Sequence, residues 1–240
     1  APRAVPPPPS PPCPPPSSRQ DPLSVRTAYF VLLHGLTLAI YLLPLFYETQ
    51  ESKPVLDELH IVSENNHDIN GASTFYDIWN NDYWGRPLSS PSSHKSWRPL
   101  TVLSFRYLSG NSGNALPVHR LVNVLTHAMA AELVAILALK FYRPSTLRHA
   151  DLLRLVTKLC FALHPTHVEV TANAANRPHL LAVLFAVLAS SPNTHLLLFS
   201  AAVVAGFLSC ETFLFQTVPI AVTLVLLYCP RGQFSWRTLV

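Results

Sequence analysis

Apolar residues in this chain gather into runs long enough for lipid, and most of the charge lies between those runs. From Thr27 to Phe46 (TAYFVLLHGLTLAIYLLPLF) no charged residue interrupts the run. About 20 such residues are what a helix needs to cross the hydrocarbon core of a bilayer. Further runs predict spans at about Leu121–Phe141, Leu152–Ala172, Leu180–Ser190, Leu196–Ser209 and Phe213–Tyr228. The fourth and fifth are short for a full crossing, which predicts tilt, partial burial or a re-entrant pair. The expected fold class is all-α: a multi-spanning helical membrane protein with a large loop, about residues 47–117, between spans one and two.

Placement of the basic residues predicts orientation. Arg19 and Arg26 precede the first span, Lys140 and Arg143 follow the second, and Arg231 and Arg237 follow the sixth. Lys and Arg accumulate on the cytoplasmic side of membrane segments, so the N-terminus is expected in the cytosol and the large loop on the lumenal side. Residues 1–26 form a proline-rich tail (PPPPSPPCPPP). Such composition favours an extended polyproline helix without internal hydrogen bonds. A solvated, disordered tail is expected, with an SH3 or WW partner for its PxxP pattern as the functional alternative. Because the chain begins at Ala1 and stops at Val240, just after an apolar run, residues 27–240 are expected to be an incomplete membrane domain.

Composition agrees with the pattern. Hydrophobic residues make up 49% and charged residues 12% of the chain, whereas about a quarter of a soluble domain is charged. The low glycine count and the absence of sustained alternation argue against a transmembrane barrel. Cys13, Cys160, Cys210 and Cys229 are scattered, with no disulfide framework or zinc spacing. The net charge of +4 is modest, and no nucleic-acid partner, metal or cofactor is expected.

The polar segment from Pro54 to Arg106 carries the densest chemistry, with enough aromatic mass to be ordered. Asp57-Glu58 could supply a general base to an acceptor hydroxyl, although most such dipeptides are solvated loop residues. Asn81-Asp82-Tyr83-Trp84-Gly85 offers an aromatic platform and a carboxylate for a sugar, or an interfacial anchor. His94-Lys95-Ser96-Trp97-Arg98 offers cations to a phosphate, Arg98 being capable of the bidentate contact; a snorkelling cluster is the plainer reading. His164, His167 and Glu169 lack the HExxH spacing of a zinc helix. They read instead as a kinked helix end facing a lumenal pocket. Arg177 has two readings, a pair with Glu169 or a phosphate ligand, and Glu211 requires a partner cation or a donor hydroxyl. The predicted topology sends all of these to the lumenal face. Ionisable residues at membrane depth are functional candidates by default.

These motifs, in this order, resemble the transmembrane and tetratricopeptide-repeat family of protein O-mannosyltransferases. The elements are the acidic pair after span one, NDYWG, SHKSWRPLTVLSFR, HRLVNVLTHA, FALHPTHVEVTA with the following Arg177, and SCET; they cover roughly Tyr29 to Tyr228. The resemblance implies a GT-C-like membrane domain in the endoplasmic reticulum, followed by repeats absent here. It implies transfer of mannose from dolichyl-phosphate mannose, as co-substrate, to Ser or Thr of secretory-pathway proteins such as cadherins. On that reading Asp57, less so Glu58, is the base and inversion results. Lys95, Arg98 and Arg177 hold the donor phosphate, and Asp82, Trp84, His94, His164, His167, Glu169 and Glu211 orient substrates. Three positions depart from the family pattern: Glu58 for a second aspartate, Cys210 for a lysine and Asn176 for a glycine. A non-catalytic scaffold, or degenerate paralogue, and a proton-coupled transporter are the other classes the sequence allows.

Overall fold

The computed structural model describes residues 53–54, 56–62, 66–109, 116–191 and 194–228, together with the isolated positions 31, 35 and 39. The proline-rich tail, and all of the first predicted span apart from three helical positions, lie outside the described residues, as does the end of the chain beyond Tyr228. Contacts divide the chain into units of residues 1–35 and 36–240, and everything below concerns the second. The described residues are helical, with no strand and a single isolated bridge between Asn81 and Pro87.

Four helices punctuate the predicted large loop: α1 (Glu58–Val62), α2 (His67–Asn70), α3 (Phe75–Asn80) and α4 (Pro99–Ser109). Local sequence explains where they start and stop. Thr74 and Asp77 form a reciprocal capping box at the head of α3, satisfying two backbone donors that a helix leaves open. Gly71 ends α2 in the left-handed conformation (φ +88°). Between α3 and α4 the loop is organised by Asp82. Its buried carboxylate accepts from the backbone of Trp84 (2.9 Å), Arg86 (3.0 Å) and His94 (3.0 Å) and from the Ser93 hydroxyl (2.6 Å). Ile69, Ile78, Tyr83, Val102 and Phe105 bury the apolar side of this region against Leu116, Ala174 and Ala175.

The remaining elements are α5 (Leu116–Tyr142), α6 (Leu147–Ala162), α7 (His167–Ala172), a single 3-10 turn (Ala174–Asn176), α8 (Arg177–Ala189), α9 (Leu196–Ser209) and α10 (Phe213–Tyr228). At 1.5 Å per residue α5 is about 40 Å long. Among the described residues it alone is long and apolar enough to cross a membrane. The helices α8, α9 and α10 have 13, 14 and 16 residues, about 20–24 Å each, short of the ~30 Å hydrocarbon core. The fifth and sixth predicted spans therefore appear at the expected boundaries but are short. The third predicted span is not one helix. It breaks at residues 163–166, where Pro165 cannot donate to the ladder, leaving α6 and α7 as separate pieces.

Small residues set the packing of the apolar half. Helix α8 lies against α5, α9 and α10, and Ala182, Ala186 and Ala189 on α8 are buried together with Ala202 of α9 and Phe213 of α10. Such small-xxx-small faces let helix backbones approach where lipid supplies no hydrophobic drive. Gly206 completes the face: a Cβ there would lie 2.3–2.5 Å from ring carbons of fully buried Phe213. The opposite faces carry exposed Leu196, Leu197, Phe215, Val218 and Leu226, an apolar surface of the kind that lipid or a partner covers.

Polar residues hold the other half of α5. Glu58, from α1, is fully buried and takes a bidentate contact from Arg120 (3.1 and 2.7 Å) as well as the backbone N–H of Ala174 (2.6 Å). Two substitutions test these packing arguments by denaturant unfolding in detergent micelles. Gly206→Ala is expected to cost about 1–3 kcal/mol through overpacking against Phe213. Glu58→Ala is expected to cost about 3–5 kcal/mol, because it removes the bidentate carboxylate partner of a buried guanidinium. Parental stability in either variant would refute the corresponding contact.

Candidate functional site

Three segments distant in sequence meet where the loop adjoins the ends of the apolar helices. The first is Asp82–Trp84 of the loop, the second is Arg98 with the start of α4, and the third is the turn Ser209–Thr212 between α9 and α10. The Thr101 hydroxyl donates to the Ser209 carbonyl (2.8 Å, buried), fixing α4 against that turn. Tyr83 is buried and its hydroxyl donates to the Ala175 carbonyl (2.9 Å), tying the loop to the turn before α8. Burial pushes that hydroxyl's pKa well above the ordinary tyrosine value, so it stays a neutral donor.

Arg98 lies over the Tyr83 ring, its guanidinium carbon 5.1 Å from the centroid, within cation–π range. Its Nε and Nη2 donate to the two carboxylate oxygens of Glu211 at 2.7 and 2.5 Å, a planar fork-to-fork contact. The Arg98 side chain is 15% exposed and that of Glu211 47% exposed. Arg98's hydrogen bonds hold the Glu211 carboxyl below the usual carboxylate range. In return, although burial works against its charge, Glu211 holds the Arg98 guanidinium more firmly protonated than a free one. Here is the partner cation that Glu211 requires.

Asp57 stands exposed at the head of α1, near enough to Tyr83 to act on its hydroxyl electrostatically. The residue before it, Leu56, is left-handed (φ 48°). For a non-glycine residue that costs roughly 1–3 kcal/mol and is typically stored at functional sites. Trp84 is half-buried, its ring edge-on to His60 (4.8 Å) and near the exposed His94 (6.1 Å). The structure thus brings Tyr83, Arg98 and Glu211 into contact, with Trp84 against the Tyr83 ring and His94 beside Trp84, and with Asp57 within electrostatic reach of Tyr83.

Other residues singled out from the sequence have different surroundings. Glu58 is occupied by Arg120 and Ala174, and the Asp82 carboxylate by the four loop donors, so neither faces an open site. Lys95 donates to the carbonyls of Leu88 and Ser90 (the latter at 2.8 Å), buttressing the loop from a left-handed backbone (φ 58°). Arg177 is fully buried and does not pair with Glu169. It donates to Asn123 Oδ1 (3.0 Å), Ser104 Oγ (3.2 Å), His119 Nδ1 (3.2 Å) and the His119 carbonyl (2.9 Å). Its guanidinium also stacks 4.1 Å from the Phe105 ring centroid. Since arginine only donates, His119 Nδ1 carries no proton; Nε2 does, and donates to the Ser109 hydroxyl (3.0 Å).

His164, His167 and Glu169 belong to a second neighbourhood around α7. His167 Nδ1 contacts the Phe161 carbonyl (2.8 Å) and Nε2 of His127 (3.0 Å). A carbonyl only accepts, so His167 Nδ1 bears the proton and His127 Nε2 accepts. His164 and Glu169 are exposed, and the His164 ring contacts the Thr166 hydroxyl (2.6 Å). What the sequence reading missed is the receiving side of all these contacts. His119, Asn123 and His127 recur every four residues on α5, and with Arg120 they form a buried polar stripe on an apolar helix. That spacing is visible in HRLVNVLTH and is the signal that would have found them.

Comparison with known proteins gives the chain its relatives. It is similar to protein O-mannosyl-transferase TMTC4 of Homo sapiens, 38% identical over 132 residues (52% of this chain, 18% of the relative). It is also similar to Tmtc1 of Drosophila melanogaster, 36% over 146 residues (60% and 16%), and to TMTC3 of Mus musculus, 33% over 132 residues (55% and 13%). The chain thus spans less than a fifth of the length of these relatives. No family model and no solved structure matches it. Over about half of its length the chain is thus similar, at 31–40% identity, to proteins named TMTC-type protein O-mannosyl-transferases.

Proposed function

We propose that this chain is the membrane part of a protein O-mannosyltransferase. It would transfer mannose from dolichyl-phosphate mannose to Ser or Thr hydroxyls of secretory-pathway proteins in the endoplasmic reticulum. The similarity to named O-mannosyl-transferases supports the reaction class. What supports the site is an exposed carboxylate, Asp57, within electrostatic reach of the buried Tyr83, whose ring lies under the pinned guanidinium of Arg98. The loop between the first and second predicted spans is the lumenal side in this reading.

In the proposed step the acceptor hydroxyl attacks the anomeric carbon of the donor. Its proton passes to the Asp57 carboxylate, the new carbon–oxygen bond forms, and the bond to the phosphate oxygen breaks with its electron pair. Dolichyl phosphate leaves with the added negative charge, which Arg98 is placed to stabilise. A single displacement of this kind inverts the anomeric centre. Trp84, with His60 and His94 at its edges, is the ring surface for the apolar face of the sugar. Glu58 is not the base in this reading, since Arg120 binds both of its oxygens. Arg177 acts through others: it holds α4 and α5 together by way of Ser104, Asn123 and His119, and thereby positions the segment bearing Arg98.

One observation favours a non-catalytic family member. Cys210, at the position of a family lysine, is buried with its sulfur against Thr212 (3.0 Å) and His179 (3.8 Å), leaving one cation fewer beside Glu211. Mannose transfer from radiolabelled dolichyl-phosphate mannose to a cadherin-like acceptor, in membranes containing the complete protein, separates the readings. Asp57→Asn is expected to lower kcat by roughly 10²–10⁴-fold with donor binding retained, as for loss of a general base. Arg98→Ala is expected to lower it by roughly 10²–10³-fold, as for loss of an electrostatic donor. Donor binding without transfer by the unaltered protein would establish the non-catalytic reading instead.

A further inference from the structure

We propose that Glu211 is a built-in occupant of the donor-phosphate seat. Its carboxylate fills the Arg98 fork while the seat is empty, and the phosphodiester of a lipid-linked sugar displaces it. This inference rests on the reading of Arg98 as the phosphate ligand.

The geometry separates what is fixed from what is free. Arg98 is held from several sides: its carbonyl accepts from Val102 N–H (3.1 Å), Tyr83 lies under the guanidinium, and Thr101 pins the head of α4 to Ser209. The backbone around Glu211 is equally fixed. Cys210 N–H donates to the Gly206 carbonyl (3.1 Å), while the carbonyls of Cys210 and Glu211 accept from Phe213 N–H (3.0 Å) and Leu214 N–H (3.3 Å). The Glu211 side chain, by contrast, is half exposed and is held by Arg98.

The ligand chemistry follows from the fork. Two coplanar donors, Nε and Nη2, suit an anion presenting two oxygens on one centre, which a carboxylate and a phosphodiester both do. Only the Glu211 end of the pair is open to solvent, at 47% against 15% for Arg98, so water screens the carboxylate and a competing anion reaches the fork by rotation of the Glu211 side chain alone. Meanwhile the Arg98 donors stay oriented and neutralised, and an adventitious anion must compete with an intramolecular one. A lipid-linked donor has the advantage of concentration in the bilayer.

Binding of dolichyl-phosphate mannose and, separately, of inorganic phosphate at matched ionic strength is the test, using the complete protein in nanodiscs. Glu211→Gln, which keeps the shape and removes the charge, is expected to bind the lipid-linked sugar phosphate roughly 1.5- to 5-fold tighter than the parent, the range for losing an exposed competing ion pair. Arg98→Ala, and the double variant, are expected to bind roughly 10- to 100-fold more weakly, as for losing charge-assisted hydrogen bonds. Tightening toward inorganic phosphate alone would still support a displaceable carboxylate and identify free phosphate as the occupant. Equal or weaker binding by Glu211→Gln, with parental binding intact, would overturn the inference while leaving the site. Loss of the folded state in Glu211→Gln would also overturn it, since a displaceable group cannot be indispensable to the fold. Absence of binding by the parent would instead defeat the reading of Arg98 on which the inference rests.

Discussion

The buried ion pair between Glu58 and Arg120 is the constraint on which the rest of the described structure depends. Each charge has lost its water, and the loss is tolerable only because the contact is bidentate and Ala174 N–H supplies a further hydrogen bond. The pair joins α1, α5 and the turn before α8. Asp57, the exposed carboxylate of the proposed site, is the adjacent residue. The proposed base is thus the chain neighbour of a residue held by three hydrogen bonds.

Along α5 the same logic repeats. Asn123 receives the Arg177 Nε at Oδ1, and its amide donates to the Asn173 carbonyl (3.0 Å) where the chain leaves α7. His119 accepts from Arg177 and His127 from His167. A polar group in an apolar helix is costly unless satisfied, so each of these contacts specifies which neighbour α5 meets and at what depth. The small-residue faces of α8 and α9 impose no such register by chemistry; they do it by shape, through Gly206 and the ring of Phe213. One half of the structure is positioned by hydrogen bonds and the other by close contact.

Burial also divides the cations by task. Arg120 and Arg177 are enclosed and consumed by the fold, Lys95 is spent on loop carbonyls, and Arg98 stays at the boundary with a partner that faces solvent. Phosphate recognition needs a guanidinium that is oriented yet reachable, and among these four Arg98 combines both properties. The proposed roles follow from accessibility rather than from residue type.

Much of this was legible in the sequence. The apolar runs fixed α9 and α10 to the residue, since uninterrupted apolar composition leaves few alternatives to helix. The aromatic mass of the polar segment is used in packing among its described residues, through Tyr83 and Phe105, and Pro165 marked a kink, although its effect was a full break between α6 and α7. Motif order also pointed to the proteins that the chain is similar to over about half of its length. Tertiary structure alone decided which ionisable residues face outward. Asp57 and Glu58 are neighbours in sequence, yet one is exposed and the other is fully buried against Arg120, while the adjacent His119 and Arg120 are both buried but have different partners. Sequence determines which groups can bear charge; whether a charge is paired, buried or presented depends on contacts between segments as far apart as Arg98 and Glu211, which no local pattern encodes.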